Sequence, residues 1–154
     1  MKSLHESTAR KFYDSFNHRD YKTLVDFCDP KCVITSMATG EQYKGVDGAK
    51  KWFLSWSNLS SDMKADVEVI AASDNYVVIE GNAHGINDGQ VTLPTGTMPA
   101  TKKKLHVQWV DIIEFKDNKI IGVRSYYDMV RMLNQLGVTQ LPQHYKPMAH
   151  GAAH

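Results

Sequence analysis

Apolar positions in the first sixty residues recur at helical spacing, which predicts three helices. The first spans Ser3 to Asn17. Asp20 is a favoured N-cap residue for the second helix, which Pro30 would stop, and Asp47 is the corresponding N-cap for the third. The apolar faces of these helices comprise Ala9, Phe12, Tyr13, Phe16, Tyr21, Leu24, Val25, Cys28, Ala49, Trp52, Phe53, Trp56 and Leu59.

The remaining segments predict strands and one more short helix. Strand-like patterns occur in KCVITSM, MKADVEVIAA, YVVIEGNAHGIN, KLHVQWVDIIEF and KIIGVRSYY. The segment DGQVTLPTGTMPAT predicts a long irregular loop that covers a site or an edge. Helical spacing between Met129 and Leu136, with Gly137 as a C-terminal cap, predicts the last helix. This order predicts an α+β domain with helices on one face of an antiparallel sheet.

The last two strands form a hairpin whose register follows from a two-residue turn at Asp117–Asn118. That register places Trp109 opposite Tyr126 and Asp111 opposite Arg124, the second pair as a possible cross-strand ion pair. All four side chains then share one face with Asp128, while His106 and Gln108 lie on the other. A one-residue slip or bulge would reverse this arrangement.

Both faces of this hairpin carry apolar side chains, although three helices can cover only one face. We therefore expect a homodimer or a higher homo-oligomer that forms through the free face of the sheet. The apolar residues of the two faces are Ile113, Phe115 and Ile120 on one, and Val110, Ile112 and Val123 on the other.

Composition narrows the classes of partner. The net charge of +1 gives no electrostatic footprint for nucleic acid or an anionic membrane, and no stretch is long and apolar enough to span a bilayer. Cys28 and Cys32 lack the further ligands of a zinc site, so we expect reduced thiols, no metal and a cytoplasmic protein. We expect one domain over residues 1–138 and a tail over 139–154, where His144, His150 and His154 form no metal site.

Four pieces in the second half carry a resemblance to a known family. They are HGIND, the loop LPTG, the hairpin VDIIEFKDNKIIGVRSYYD and the segment MVRMLNQLG. In this order and spacing the chain resembles the SnoaL-like polyketide cyclases of the nuclear transport factor 2-like superfamily. The resemblance implies a cone-shaped α+β fold, in which a curved, mostly antiparallel sheet and three N-terminal helices enclose a pocket and a short C-terminal helix follows.

The resemblance also implies a chemistry. Family cyclases close a ring by intramolecular aldol condensation of a β-keto ester, without a metal or other cofactor. Their acid/base residue is an aspartate after the last strand, which corresponds to Asp128 here. The loop LPTGTMPATKKKL is longer and richer in lysine than the family pattern, which bears on the substrate more than on the fold.

Asp128 has two possible roles that require opposite environments. As the N-cap of the last helix its carboxylate would accept backbone N–H groups and stay ionised. As a catalytic base it needs apolar walls that raise its pKa towards neutrality, which Trp109, Tyr126, Tyr127 and Met129 could supply. The family resemblance favours catalysis.

The substrate-binding candidates are the residues that could donate to a carbonyl or line an aromatic pocket. His84 has small neighbours, Trp56 lies one turn from Trp52, and each of the candidates has a structural alternative as a core or surface residue. The candidates are Trp56, His84, His106, Trp109, Asp111 and Tyr126.

The sequence therefore predicts an enzyme that performs aldol-type ring closure, or a related proton transfer, on a small apolar or aromatic carbonyl compound such as a β-keto ester. Two other classes remain open. One is a non-catalytic binding protein for small molecules on the same scaffold. The other is an isomerase or dehydratase, which would use a second titrating group such as His84 or Asp111.

Overall fold

The computed structural model of this protein describes residues 3–93 and 96–138. Four helices and eight strands follow one another in the order predicted for an α+β domain. Three of the eight strands, all of them short, are additional to the five that the sequence predicts. Their bounds are α1 Leu4–Asn17, α2 Tyr21–Asp26, β1 Cys28–Ser36, β2 Gln42–Lys44, α3 Gly45–Leu59, β3 Lys64–Ala72, β4 Tyr76–Ile86, β5 Val91–Leu93, β6 Gly96–Met98, β7 Lys104–Lys116, β8 Lys119–Tyr127 and α4 Met129–Gln135.

Six strands form one sheet in the order β2-β1-β8-β7-β4-β3. All neighbours are antiparallel except β1 and β8, which run parallel. Irregularities interrupt three of the pairings, within β1/β8, β3/β4 and β7/β8, and such bulges bend and twist a sheet. The curved, mostly antiparallel sheet with three N-terminal helices confirms the predicted fold class.

The helices α1 and α3 pack on one face of the sheet and supply most of its aromatic core. Phe12 of α1 and Phe53 of α3 contact edge to face, with their ring centroids 5.0 Å apart. The inward positions of β7 are the odd-numbered ones, and all of them are apolar except one: Asp111, which is 3% exposed. Burying a carboxyl group among apolar residues is unfavourable without a compensating role, so this position is the conspicuous exception in the core.

Local signals predicted most element ends correctly. Asp20 caps α2 by accepting a hydrogen bond from the backbone N–H of Thr23, 3.0 Å away. Asp117 and Asn118 both have positive φ, as a two-residue hairpin turn requires, and Gly137 has φ +78° just after α4. The predicted cap at Asp47 is wrong, because α3 begins earlier, at Gly45, and has no side-chain cap.

One prediction about a connection also needs correction. The segment 88–101 is not wholly irregular, because β5 and β6 pair within it as a small hairpin. No helix in the two described ranges is long and apolar enough to cross a membrane. The predicted boundary after residue 138 and the three histidines of the tail lie outside the described residues.

The predicted register of the β7/β8 hairpin is correct beside the turn and wrong beyond it. Lys116 pairs with Lys119 and Phe115 with Ile120, but Glu114 then pairs with Gly122, so Ile121 is an extra residue. From there on every pair shifts by one position. A glycine inside a strand often marks such a bulge.

Because of this bulge, Trp109 faces Tyr127 rather than Tyr126, and Asp111 faces Ser125 rather than Arg124. The expected ion pair between Asp111 and Arg124 is therefore wrong. Val123 likewise lies in the core, 2% exposed, rather than on the free face. The placement of Trp109 and Asp111 on one face is correct.

Candidate functional site

A narrow cavity lies between α1, α3 and the covered face of the sheet. The centre of a water-sized sphere can move through only about 40 Å³ of it, which is room for a few water molecules. Its walls are aromatic and aliphatic, and Asp111 is the single charged residue among those described that line it. The lining residues are Tyr13, Phe16, Trp52, Phe53, Trp56, Met63, Ala65, Ala83, Val107, Trp109, Asp111, Ser125 and Tyr127.

Asp111 is held in this cavity by a hydrogen bond from α1. The phenol O–H of Tyr13, on α1, donates to Asp111 Oδ2. The other oxygen, Oδ1, is buried and has no hydrogen-bond partner of ordinary geometry among the described residues. A buried acceptor without a hydrogen-bond partner destabilises the folded protein, so a ligand that donates a hydrogen bond or a proton to Oδ1 would bind favourably here.

Burial changes the acidity of both members of this pair. Removal from water raises the pKa of Asp111 to about 6, although nearby hydroxyls of Tyr13 and Ser125 act in the opposite direction. Burial, together with the adjacent carboxylate, raises the pKa of Tyr13 well above its ordinary value. Tyr13 therefore stays protonated and remains a donor, while Asp111 titrates close to neutral pH.

Trp109 forms the floor of the cavity next to this pair. Its indole lies against the Tyr13 ring, with the centroids 4.9 Å apart and the planes 30° apart. Gly81, its partner on β4, makes room for the indole: a Cβ atom there would lie 2.2 Å from Trp109 Cζ2. Gly81 thus allows Trp109 to lie across the β4 backbone, where it supports Tyr13.

Three side chains separate this inner chamber from a second, outer one. Trp52 and Trp56 contact edge to face at 5.6 Å between centroids, and Trp56 contacts Tyr127 in the same way at 5.2 Å. Trp52, Trp56 and Tyr127 line both chambers. The outer chamber offers about 220 Å³ to the centre of a water-sized sphere, so it is the roomier of the two.

The walls of the outer chamber are mixed polar and apolar. Glu41 is the one charged residue among the described residues that line the outer chamber. The Oε2 atom of Glu41 accepts hydrogen bonds from the hydroxyls of Tyr43, at 3.3 Å, and Thr39, at 3.2 Å. Burial and this carboxylate together raise the pKa of Tyr43 to about 12. The other lining residues are Ser36, Trp52, Ser55, Trp56, Asn58, Leu59, Val91, Thr92, Leu93, Tyr127, Met129 and Met132.

Asp128 lies outside both chambers, at the surface. Its Oδ1 accepts a hydrogen bond of 2.9 Å from the backbone N–H of Arg131, and the residue is the N-cap of α4. The expected apolar environment is therefore wrong: the side chain is exposed because β8 ends at Tyr127 and α4 begins at Met129. Asp128 therefore has the solvent-exposed environment of an N-cap residue and not the apolar environment of a buried base.

Three further candidates lie on the face of the sheet that the helices leave open. His84 Nε2 is 3.1 Å from Asp66 Oδ2, and His106 Nε2 is 3.1 Å from Asn82 Oδ1. Tyr126 is 41% exposed on this same face because of the bulge. The structure thus brings together Trp56, Trp109 and Asp111 and separates them from the other candidates.

The sequence interpretation did not single out Tyr13, Ser125 or the outer chamber. Helical spacing places Tyr13 in the core but gives no sign that its hydroxyl contacts a strand residue ninety-eight positions later. Ser125 lies opposite Asp111 only because of the bulge in β8, and Gly122 is the feature of the sequence that could have indicated this bulge. Among the described residues no group of three or more His, Cys, Asp or Glu side chains is arranged to hold a metal ion.

Solved structures with the same fold include two candidate polyketide cyclases. One, from Jannaschia sp. CCS1, is a candidate SnoaL-like polyketide cyclase with a TM-score of 0.79 and 14% identity, covering 91% of this chain and 99% of its own. Another is IdmH from Streptomyces antibioticus, with a TM-score of 0.72 and 23% identity over 87% of this chain and 99% of its own. TerC, co-crystallised with polyporic acid, has a TM-score of 0.67 and 15% identity over 88% of this chain and 100% of its own.

At these identities the structures establish the fold. No curated protein matches the chain. The family model of the SnoaL-like polyketide cyclases matches residues 7–136, which include all the helices and strands of the domain apart from the first turn of α1. The chain therefore belongs to the SnoaL-like polyketide cyclase family.

Proposed function

We propose that this protein is an enzyme that removes and returns a proton next to a carbonyl group, and thereby closes a ring in a polyketide-like β-keto ester. The observation that carries the proposal is the environment of Asp111. Its carboxyl group is buried in an apolar cavity, receives one hydrogen bond from Tyr13 and keeps Oδ1 without a partner among the described residues. A carboxyl whose pKa is raised to about 6 is ionised often enough at pH 7 to accept a proton and acidic enough to return it.

This proposal assigns the acid/base role to Asp111 instead of Asp128. An exposed carboxylate that caps a helix is stabilised in its ionised form by the N–H groups and the helix dipole, which weakens it as a base. Asp111 has the environment that was expected for Asp128. It also lies beside the aromatic surfaces that would bind the substrate.

The steps of an aldol ring closure fit one carboxyl group. Asp111 takes the proton from the carbon between the two carbonyl groups, and the electron pair of that C–H bond forms an enolate. The enolate carbon attacks the carbon of a third, more distant carbonyl group in the same molecule, so a C–C bond forms and the C=O π pair moves to oxygen. The protonated Asp111 then gives its proton to this alkoxide, which restores the carboxylate.

Donors for the developing oxyanion are available on the cavity walls. The indole N–H groups of Trp56 and Trp109 donate no hydrogen bond to another described residue, and the Tyr127 hydroxyl lies 3.4 Å from Ser36 Oγ. Donors in a cavity that excludes water stabilise negative charge more strongly than donors in solution. Trp56, Trp109 and Tyr127 are therefore the proposed contacts of the substrate carbonyls.

An isomerase or dehydratase would need a second titrating group at the same place. His84 lies on the opposite face of the sheet, and Asp111 is the only carboxyl or imidazole group among the described residues of the inner chamber. The geometry therefore favours chemistry that one carboxyl group can perform. A binding protein remains distinguishable by experiment, because it would bind a ketone without exchanging its protons.

Deuterium exchange into 1-tetralone in D₂O, followed by NMR, tests the proposal. The protein should accelerate exchange at C2 above the buffer rate, Asp111→Asn should abolish the acceleration, and Asp128→Asn should retain it. Binding of 1-tetralone without any acceleration would support the binding protein instead. Loss of exchange in Asp128→Asn with retention in Asp111→Asn would return the role to Asp128.

We also propose that two copies of the chain associate through the open face of the sheet. This face carries half-buried Val110 and Ile112 and exposed Tyr76, Ile86 and Tyr126, and Val110 and Tyr126 are direct neighbours across β7 and β8.

A further inference from the structure

We infer that the outer chamber is a second binding subsite, which takes a hydrogen-bond-donating, non-anionic substituent of the substrate and binds an ammonium group most tightly. This inference rests on the proposed function, because it concerns the part of the ligand that extends away from Asp111. The two chambers adjoin at Trp52, Trp56 and Tyr127, and the inference places one ligand past these side chains, with a part in each chamber.

The first reason is space. The inner chamber has room for only a few water molecules, so any larger ligand extends past Trp56 and Tyr127 when it reaches Asp111. The outer chamber is about five times larger by the same measure, at 220 Å³ against 40 Å³. A substituent therefore lies against the outer walls and contributes to binding.

The second reason is the direction of the hydroxyl protons. A hydroxyl has one proton to donate, and three hydroxyls of the outer walls already use theirs within the protein. Tyr43 and Thr39 donate to Glu41 Oε2, and Ser55 donates to the carbonyl oxygen of Trp52 at 2.6 Å. These oxygens can then only accept hydrogen bonds from a ligand. The indole N–H groups of Trp52 and Trp56, the hydroxyl of Thr92 and the amide of Asn58 are lining donors not used in this way, but none of them carries a positive charge.

The third reason is charge. Glu41 Oε1 accepts no hydrogen bond from the described residues, while Oε2 accepts two. A carboxylate with one free oxygen attracts an ammonium group, accepts a hydrogen bond from a hydroxyl and repels a carboxylate. No described lining residue of the outer chamber carries a positive charge that could offset this repulsion.

Three naphthyl probes with matched spacers test the subsite: 2-naphthylmethylamine, 2-naphthylmethanol and 2-naphthylacetate, measured by calorimetry at pH 7.5. We expect the amine to bind more tightly than the alcohol, and the alcohol more tightly than the carboxylate. Glu41→Gln should reduce the advantage of the amine over the alcohol by about two- to fivefold, the effect expected of one exposed charge pair. Glu68→Gln, on the exposed β3 surface, is the matched control and should leave the order and its size unchanged.

Equal binding of the three probes, failure of all three to bind, or an amine advantage of unchanged size in Glu41→Gln would overturn the inference. A preference for the amine that is lost in Asp111→Asn but kept in Glu41→Gln would also overturn it, because the ammonium group would then lie at Asp111. None of these results bears on deuterium exchange at Asp111. The subsite and the proposed function can therefore fail separately.

Discussion

Tyr13 on α1 donates a hydrogen bond to Asp111 on β7, and both residues are almost completely buried. The phenol fixes the position of the carboxyl group and satisfies Oδ2, whereas Oδ1 has no such partner among the described residues. The hydrogen bond from Tyr13 lowers the pKa of the carboxyl group, whereas burial raises it more strongly, to about 6. The balance of these two effects sets the acidity on which the proposed chemistry depends.

Replacing Tyr13 by Phe should raise the pKa of Asp111 further. The hydrogen bond stabilises the ionised carboxylate, so its loss makes the group easier to protonate. NMR titration of the Asp111 carboxyl carbon would measure the shift. Tyr21→Phe is the control, because the Tyr21 hydroxyl bonds to Ser57 Oγ at 2.7 Å, away from Asp111. A pKa that stays the same or falls in Tyr13→Phe would contradict the role given to Tyr13.

Asp111→Asn should stabilise the protein at pH 8 and have little effect at pH 4. The pKa of Asp111 is raised from 3.8 to about 6, so the folded state holds this proton more tightly than the unfolded state. The carboxyl therefore lowers the free energy of unfolding progressively as the pH rises from about 4 to 6, by roughly 2–3 kcal/mol in full.

Denaturant unfolding of both proteins from pH 4 to pH 8 would reveal this difference. Asp74→Asn, at an exposed position, is the control, and its effect on the free energy of unfolding should not change between pH 4 and pH 8. Destabilisation by Asp111→Asn at pH 8 would be inconsistent with a raised pKa.

Asp128→Ala should lower the free energy of unfolding by about 1 kcal/mol without affecting deuterium exchange in 1-tetralone. The side chain accepts the backbone N–H of Arg131, and alanine cannot replace that contact. Asp128→Asn preserves an N-cap and should restore most of the stability. If Asp128→Asn were as stable as wild type yet inactive, a catalytic role for Asp128 would follow.

Gly81→Ala should destabilise the protein by about 1–3 kcal/mol and displace Trp109. The added methyl group would overlap the indole ring, which cannot move without disturbing Tyr13. Chemical unfolding and tryptophan fluorescence would follow the two effects. Gly122→Ala is a matched control in β8, since the nearest atoms to a Cβ there lie at an ordinary 3.7 Å. Similar results for both variants would argue against a special role of Gly81.

The proposed association through the open sheet face predicts a mass of twice 17.4 kDa by light scattering. Val110→Lys together with Tyr126→Lys should shift this mass towards that of one chain, because lysine side chains disfavour burial in an interface. Leu4→Lys is the control, since Leu4 is 61% exposed on α1. A wild-type protein of single-chain mass would refute the proposal.

Much of this fold follows from local sequence signals. The cap at Asp20, the turn at Asp117–Asn118 and the glycine after α4 each depend on the conformation of one or two residues, which the sequence specifies directly. The cap at Asp47 failed because Gly45, with φ +70°, already lets the chain turn into α3.

The candidate site was harder to predict because it depends on register and on distant contacts. One bulged residue, Ile121, moved Ser125 and Tyr127 to the covered face and Tyr126 to the open one. The contact of Tyr13 with Asp111 joins elements from opposite ends of the domain, and no local pattern encodes it. Asp128 shows the converse, since an N-cap is a local property that its sequence context indicates, although the family resemblance favoured catalysis.

The most direct test is the pKa of Asp111, measured by NMR titration of its carboxyl carbon with Asp111→Asn for assignment. We expect a pKa of about 6, raised by burial in the apolar cavity. A value at or below the 3.8 of an ordinary aspartate would contradict it, because Asp111 would then be too weak a base for the proposed proton transfer.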